Sequence, residues 1–175
     1  GEPLAPGDVV IVTGGARGVT AAAALALAVA FKPRLVLVGR SPLPGDEPSS
    51  LHSSRTEAEL RQALAQHEQG LAPKDIARKA KDIIAGREVR ETLSRLSAVG
   101  CEARYRAVDV RDVQAVSALV AETARDLGCV RGIVHGAGVL ADRKVLDKTP
   151  ENLDAVLDTK LAGLRNLLDA VKLRA

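Results

Sequence analysis

Four short strand-like runs recur along the chain, and segments with helical periodicity separate them. They cover residues 8–13, 34–38, 103–108 and 130–135, and the first two are rich in Val, Ile and Leu, as strands buried on both faces are. Helices are predicted at residues 19–30, 87–99 and 112–127, and from Pro150 onward. Because crossovers between parallel strands are right-handed, this order predicts an α/β fold with a doubly wound parallel sheet in three layers.

The stretch from residue 42 to about residue 86 does not follow this alternation. It begins with Pro, Ser and Gly residues and continues with polar helical patterns at 56–69 and 73–84. A connection of this length in a βα unit indicates a partly helical insertion after the second strand. We expect the insertion to end at Gly86 and a separate helix of the main domain to begin at Arg87.

The composition fits a layered domain of aliphatic residues. Of the 175 residues 46% are hydrophobic, with one Phe, one Tyr and no Trp, and the formal net charge is +3 with both signs interleaved. A chain without a basic stripe or aromatic stacking faces is not expected to bind nucleic acid. No export signal, membrane span or metal site is predicted. Cys101 and Cys129 are expected to be buried thiols of a cytoplasmic protein.

The glycine-rich segment TGGARGVT, at residues 13–20, lies between the first strand and the first helix. Glycines at such a turn let the backbone approach a pyrophosphate, and the helix N-terminus supplies N–H donors. Its spacing matches TGxxxGxG with Thr20 in place of the last glycine, and a plain tight turn is the alternative. The predicted dinucleotide contacts are Thr13, Gly14, Gly15, Arg17, Gly18 and Val19.

The residues after the second strand distinguish between the two nicotinamide dinucleotides. An NAD enzyme carries Asp or Glu about twenty residues after the glycine motif, to bond the ribose 2′-hydroxyl. This chain has Arg40 and Ser41 there instead. The Arg40 guanidinium, assisted by Arg17, could pair with a 2′-phosphate, which favours NADPH as the cofactor. The alternative is that both arginines are solvated loop residues.

Two further turns follow predicted strands and would meet the glycine-rich turn at the same sheet edge. Asp109 and Val110 follow the third strand, where a carboxylate could accept a hydrogen bond from adenine and Val110 could flank its ring. Asp109 could equally cap the next helix, a role for which Asp112 competes. Gly136, Ala137 and Gly138 follow the fourth strand, where small residues would allow a loop to pass over the dinucleotide.

The motifs TGGARGVT, VGRS, VDV and HGAGVL resemble the short-chain dehydrogenase/reductase superfamily, whose domain has the Rossmann-type fold. Within it, VLVGRS, HGAGVLAD and DTKLAGLRNLLDA are similar to the ketoreductase domains of type I polyketide and fatty acid synthases. The insertion after GRSPLP, together with GGARGVTA, resembles the ketoreductase of polyunsaturated fatty acid synthases.

The resemblance implies an activity and assigns roles to particular residues. It implies NADPH-dependent reduction of a β-keto group on a chain tethered to an acyl carrier protein, within a larger synthase. Lys160 matches the catalytic lysine that such ketoreductases carry on the helix before the tyrosine. Without the resemblance, Lys160 would be interpreted as a surface lysine. Asp142, in Leu-Ala-Asp, matches the last residue of a Leu-Asp-Asp stretch and would orient the substrate.

The same resemblance places the catalytic serine and tyrosine beyond the lysine helix. The sequence does not begin with Met and stops within a predicted helix, so we expect it to be the NADP(H)-binding portion of a larger protein, inactive alone. Tyr105 lies in a predicted strand without a downstream Lys or Asn at the family's spacing, and no catalytic role is assigned to it.

Other functions fit the sequence less well than the reductase does. A non-catalytic Rossmann scaffold or dinucleotide sensor is the principal alternative, although a scaffold has no need of the glycine-rich turn, Arg40 and Lys160 together. A nucleotide-sugar epimerase would require TGxxGxxG, and Arg17 occupies the place of its middle glycine. A Rossmann-fold methyltransferase would require an acidic residue after the second strand.

Overall fold

The computed structural model describes residues 3–14, 16–68, 70–139, 147 and 149–172. Its sheet has four parallel strands, β1 (Val9–Thr13), β2 (Arg34–Gly39), β3 (Ala103–Ala107) and β4 (Val130–His135), in the order β3-β2-β1-β4. The chain moves outward from β1 through β2 to β3 and then returns to the other side of β1. The strand order therefore reverses between β1 and β4, which is where doubly wound sheets bind ligands.

Six α-helices accompany the sheet in the described residues. They are α1 (Gly18–Phe31), α2 (Glu57–His67), α3 (Pro73–Ala98), α4 (Val113–Asp126), α5 (Pro150–Leu157) and α6 (Gly163–Lys172). A 3-10 helix (Ser49–Leu51) precedes α2, and a π-helical segment (Asp158–Ala162) joins α5 to α6.

Side chains from the two central strands alternate between two cores. Val9 and Ile11 pack with residues of α4 and α6, whereas Val10 and Val12 pack with residues of α1 and α3. Because successive strand residues point to opposite faces, a strand that is apolar throughout requires helices on both sides. The predicted three-layer α/β fold is confirmed.

The predicted helix boundary at Gly86 is wrong, because α3 runs without interruption from Pro73 to Ala98. Gly86 is buried, and a Cβ at this position would lie 2.7 Å from Cδ of Pro44. The glycine therefore provides room for the segment after β2 to cross the helix. A single glycine in a helix costs only about 1 kcal/mol relative to alanine, so packing against Pro44 decides the outcome.

The N-terminal part of α3 packs against α2 around a small core of its own. Its buried members are Leu51, Leu60, Leu64, Ala80 and Ile83. Arg87 ties this region to the preceding segment through a salt bridge to Glu47 and a hydrogen bond to the Leu51 carbonyl oxygen of 2.9 Å. The predicted insertion is thus joined to the rest of the domain by one continuous helix, α3.

Two further observations complete the fold. Cys101 is buried as predicted, but Cys129 is exposed, because it follows Gly128 in the turn between α4 and β4 rather than lying within the strand. Within the described residues, no helix combines the length and the apolar character needed to span a membrane.

Candidate functional site

A groove runs along the carboxyl ends of β2, β1 and β4, at the point where the strand order reverses. Its volume is about 560 Å³, and it is lined by residues from the turns after all four strands, from α3 and from the π-helical segment. We call it the carboxyl-edge groove and define it by Gly14, Gly18, Arg40, Val110, Gly136 and Gly138. The glycine-rich turn, Arg40, Val110 and the loop after β4, predicted from four separate motifs, therefore meet at one site.

The turns after β1 and β4 touch through backbone atoms at the centre of this groove. Gly14 has a φ of +70°, and a Cβ on it would lie 2.8 Å from the carbonyl oxygen of Gly136. The Gly14 N–H also donates to the Val38 carbonyl oxygen at 2.7 Å. Only glycine satisfies both the left-handed backbone and the close approach, so this turn is rigid and its backbone is accessible from the groove.

We expect Gly14→Ala to destabilise the chain much more than a glycine replacement with the same backbone angle elsewhere. Gly100, after α3, has a φ of +75°, and no atom lies within 4 Å of the place that a Cβ would take. Gly100→Ala should lower the free energy of unfolding by about 1 kcal/mol, the cost of the left-handed backbone. Gly14→Ala should lower it by about 3 kcal/mol, because the overlap with Gly136 is added. Urea unfolding followed by circular dichroism measures both, and equal losses would contradict the close contact.

The N-terminus of α1 opens into the groove without a side-chain cap. Thr56, Asp112 and Thr149 each accept a backbone N–H at the start of α2, α4 and α5. At α1 the N-cap residue is Arg17, whose side chain makes no capping hydrogen bond; α3, with Ala72 as its N-cap, also has none. The N–H groups of this turn are therefore available to an anion, which the positive end of the helix dipole also attracts.

Two arginines flank this helix end, and they differ in their surroundings. Arg17 forms a salt bridge with Glu88 of α3, and both side chains are about half exposed. Arg40 is exposed, lines the groove, and forms no salt bridge with any described residue. The Arg40 guanidinium is therefore available to a ligand, whereas the salt bridge between Arg17 and Glu88 would have to break before Arg17 could bind one.

Glu88 is a groove residue that the sequence analysis missed. It lies one helical turn before Thr92, whose hydroxyl donates to the Ala16 carbonyl oxygen at 3.0 Å and so ties α3 to the glycine-rich turn. Residues four apart share a helix face, so Glu88 also faces this turn. The (i, i+4) pair lies within the helix predicted at 87–99, but the sequence does not show which face of that helix packs against the glycine-rich turn.

Ser41 lies in a smaller adjoining cavity of about 170 Å³ rather than in the groove itself. The Tyr105 hydroxyl donates to the Ser41 carbonyl oxygen at 2.6 Å. Burial raises the pKa of Tyr105, and the nearby Arg17 charge partly opposes this. Tyr105 thus stays protonated and fixes the turn that follows Arg40.

Asp109 is held by its neighbour Arg111 after β3. The Arg111 Nη2 atom is 2.6 Å from Asp109 Oδ2, and the Arg111 backbone N–H also donates to this carboxylate. These hydrogen bonds lower the pKa of Asp109 to about 2, so it is ionised at neutral pH. Asp112, not Asp109, caps α4, so the helix-cap alternative for Asp109 is wrong, and its contact with adenine stays a prediction. Val110 is buried and lines the groove.

The side chains of Thr13 and Val19 do not line the groove. Thr13 is fully buried, and its hydroxyl is hydrogen-bonded to Nδ1 of His135 at 2.8 Å and to the backbone N–H of Ala137 at 3.3 Å. Val19 is 87% exposed on the first turn of α1. Thr13 therefore acts on the shape of the two turns rather than through its own contact with a ligand.

Lys160 lies beside the loop that follows β4. A Cβ on Gly138 would be 3.1 Å from Lys160 Cε and 3.4 Å from Nζ, and Gly138 lines the groove. Since Arg40 follows β2 and Gly138 follows β4, the two predicted cationic sites lie on opposite sides of β1. The remaining predicted site residues, Gly15 and Asp142, fall outside the described part of the chain.

Comparison with known proteins shows the family of the chain. A family model described as the KR domain matches residues 8–175. The chain belongs to the KR domain family. It is 35% identical over 97% of its length to a subunit of the polyunsaturated fatty acid synthase of Thraustochytrium sp. (strain ATCC 26185 / S-3), of which it spans 7%. It is also 35% identical over 57% of its length to polyketide synthase PksN of Bacillus subtilis (strain 168), of which it spans 2%.

Solved structures share the fold. A ketoreductase domain from the bacillaene assembly line is 27% identical, with a TM-score of 0.64 over 94% of this chain and 30% of that one. An N-terminal ketoreductase from the macrolactin assembly line has a TM-score of 0.69 at 24% identity, over 98% of this chain and 27% of that one. A short chain dehydrogenase from Mycobacterium paratuberculosis, solved bound to NAD, gives 0.63 at 24% identity over 98% of this chain and 52% of that one.

The predicted resemblance to the ketoreductases of polyketide and polyunsaturated fatty acid synthases is thus confirmed. The KR-family chain spans only a small part of its curated relatives, which are large synthases. Members of the superfamily use a nicotinamide dinucleotide. The groove offers this class of ligand an uncapped helix end, close-packed glycines and a cationic side chain on one edge.

Proposed function

We propose that the chain binds NADPH in the carboxyl-edge groove and forms the dinucleotide-binding part of a β-ketoacyl reductase, with the other domains of a larger synthase as its partners. The observation that carries this proposal is the open N-terminus of α1, which is flanked by Arg40. The helix end has no side-chain cap, and Arg40 has no salt-bridge partner among the described residues. Together they offer two adjacent positions for anionic groups. NADPH differs from NADH in having a second anionic group, the 2′-phosphate.

The residues of the groove fit such a dinucleotide. Gly14 and Gly18 would let the pyrophosphate approach the N–H groups of α1, and Arg40 would pair with the 2′-phosphate. Val110 would flank the adenine, with the ionised Asp109 beside it as an acceptor for the adenine amino group. When bound, NADPH supplies the hydride for the reduction. Lys160, at the Gly138 side, would hold the nicotinamide ribose.

The substrate class follows from the relatives. Synthases for polyunsaturated fatty acids and polyketides are named among them, and we infer that the ketone is the β-keto group of a thioester carried on an acyl carrier protein. Lys160 would also lower the pKa of a tyrosine that protonates the reduced oxygen. We assign that role to a tyrosine other than Tyr105, whose hydroxyl is committed to the Ser41 carbonyl. Asp142 would orient the substrate.

Titration calorimetry of the chain with NADPH, NADH and adenosine 2′,5′-bisphosphate tests the cofactor. We expect NADPH to bind at least about tenfold more tightly than NADH, because one charge-assisted contact contributes roughly 1.5–3 kcal/mol. The bisphosphate should compete with NADPH, since it carries the 2′-phosphate without the nicotinamide. Equal affinities would contradict the choice of NADPH. If no dinucleotide binds, the chain is a scaffold, and the glycine-rich turn has only a structural role.

A further inference from the structure

His135, the last residue of β4, connects the central turns to the segment that carries Lys160. Its Nδ1 atom is 2.8 Å from Thr13 Oγ1, and its Nε2 atom is 3.1 Å from the Thr159 carbonyl oxygen. Thr13 Oγ1 in turn accepts from the Ala137 N–H. The four groups belong to β1, β4, the loop after β4 and the π-helical segment, so a single side chain bridges elements that are distant in sequence.

The direction of each hydrogen bond in this chain is fixed by chemistry. The Thr159 carbonyl oxygen can only accept, so Nε2 of His135 carries the proton. Nδ1 of the neutral imidazole is then an acceptor, and the Thr13 hydroxyl donates to it. The Ala137 N–H donates to Thr13 Oγ1. Every member has one role, and only the neutral Nε2-protonated tautomer satisfies them all.

The π-helical segment explains why the Thr159 carbonyl needs an outside donor. In an α-helix this oxygen would accept the N–H of Gly163, four residues later. Here the Gly163 N–H donates to the Asp158 carbonyl oxygen instead, five residues back. The Thr159 carbonyl thus loses its α-helical partner, and the His135 Nε2–H replaces it. Thr159 is buried, so without this donor a polar atom would be left unsatisfied.

We propose that His135 is a positioning residue that stabilises the π-helical segment through the Thr159 carbonyl and thereby holds Lys160 beside Gly138. A return to α-helical pairing would rotate the residues on one side of the segment by about 100° relative to the other. Lys160, next to Thr159, would then move away from the loop after β4. The importance of this position for reduction rests on the proposed function, but the positioning itself does not.

The electrostatic surroundings of His135 agree with the neutral tautomer. Burial lowers the pKa of His135, and the positive charge of Lys160 lowers it further, against the opposing effect of the hydrogen bond to the Thr159 backbone. A protonated imidazole would have to donate to Thr13 Oγ1 and would leave the Thr13 hydroxyl proton without its acceptor on His135, so the full network requires the neutral state that these surroundings favour.

Nuclear magnetic resonance of the chain without any dinucleotide tests the positioning. In the wild type at neutral pH, ¹⁵N shifts of His135 should show a protonated Nε2 and an unprotonated Nδ1. A nuclear Overhauser effect should join the Lys160 side chain to Gly138 Hα. His135→Phe should abolish this effect while filling a similar volume. Thr13→Val should weaken it, whereas Thr13→Ser, which keeps the hydroxyl, should retain it.

Several outcomes would overturn the inference. These are a protonated Nδ1 in the wild type, an unchanged Lys160–Gly138 effect in folded His135→Phe, or identical spectra for Thr13→Val and Thr13→Ser. If His135→Phe does not fold, the two Thr13 variants decide. In the proposed reductase, His135→Phe should lower kcat about 10- to 100-fold and change the KM for NADPH by less than about tenfold, since misplacement of Lys160 is the cause. Because the spectra require no cofactor, a failure of NADPH binding would be recognised separately.

Discussion

Replacing Lys160 by Met is expected to lower kcat of the proposed β-ketoacyl reductase by about 100-fold or more. Methionine keeps a long, flexible stem against Gly138 and removes the ammonium group that would assist proton donation. The affinity for NADPH should change by less than about tenfold, because most of its proposed contacts lie at the α1 end of the groove. Rates of NADPH oxidation with a β-ketoacyl thioester, measured at saturating cofactor, give kcat directly.

The control for this experiment is Lys172→Met. Lys172 is exposed at the end of α6, so its replacement makes the same chemical change away from the groove. It should leave both kcat and the NADPH affinity within about twofold, as surface substitutions usually do. If Lys160→Met retained wild-type kcat, Lys160 would be the surface lysine that its helix alone suggests, and the reductase proposal would lose its catalytic residue on this chain.

Features that depend on residues close in sequence were predicted correctly. The strand, glycine-rich turn and helix around Gly14 follow from spacing alone, because a left-handed backbone at a βα turn is a local requirement. The parallel, doubly wound sheet followed from the alternation of strands and helices together with right-handed crossovers, but its strand order, β3-β2-β1-β4, came from the structure. The meeting of the turns after the four strands in one groove is a consequence of that order.

Features that depend on distant contacts were not predicted. Gly86 was interpreted as a helix boundary, although it lies within α3 and its lack of a side chain allows Pro44 to pack against the helix. Glu88 was missed because its direction depends on where α3 passes the glycine-rich turn. The hydrogen bonds of His135, the first residue of the HGAGVL motif, were not predicted, since its partners Thr13 and Thr159 are 122 residues earlier and 24 residues later. No local pattern in the sequence states such pairings.

Arg17 and Arg40 are not expected to contribute equally to the preference for NADPH over NADH. Glu88 forms a salt bridge with Arg17, whereas Arg40 forms none with the described residues and interacts with the Asp109 carboxylate only through charge attraction at longer range. A 2′-phosphate would therefore gain more from Arg40 than from Arg17, since pairing with Arg17 requires the Glu88 salt bridge to open and leaves a carboxylate near the phosphate. The discrimination between NADPH and NADH should depend mainly on Arg40.

Arg40→Asp is accordingly expected to weaken NADPH binding by about 100-fold, through loss of a charge-assisted pair and gain of like-charge repulsion. NADH, which lacks the 2′-phosphate, should change by less than about threefold, so that the preference for NADPH disappears. Arg165→Asp, at an exposed position of α6, makes the same change in net charge and should leave both affinities unaltered. Calorimetry at low and high salt separates the two contributions, because screening weakens the repulsion at long range and the local pair much less.

If NADPH and NADH lost affinity equally in Arg40→Asp, Arg40 would support the turn after β2 rather than bind the 2′-phosphate. The preference would then have to come from Arg17 in spite of its salt bridge to Glu88.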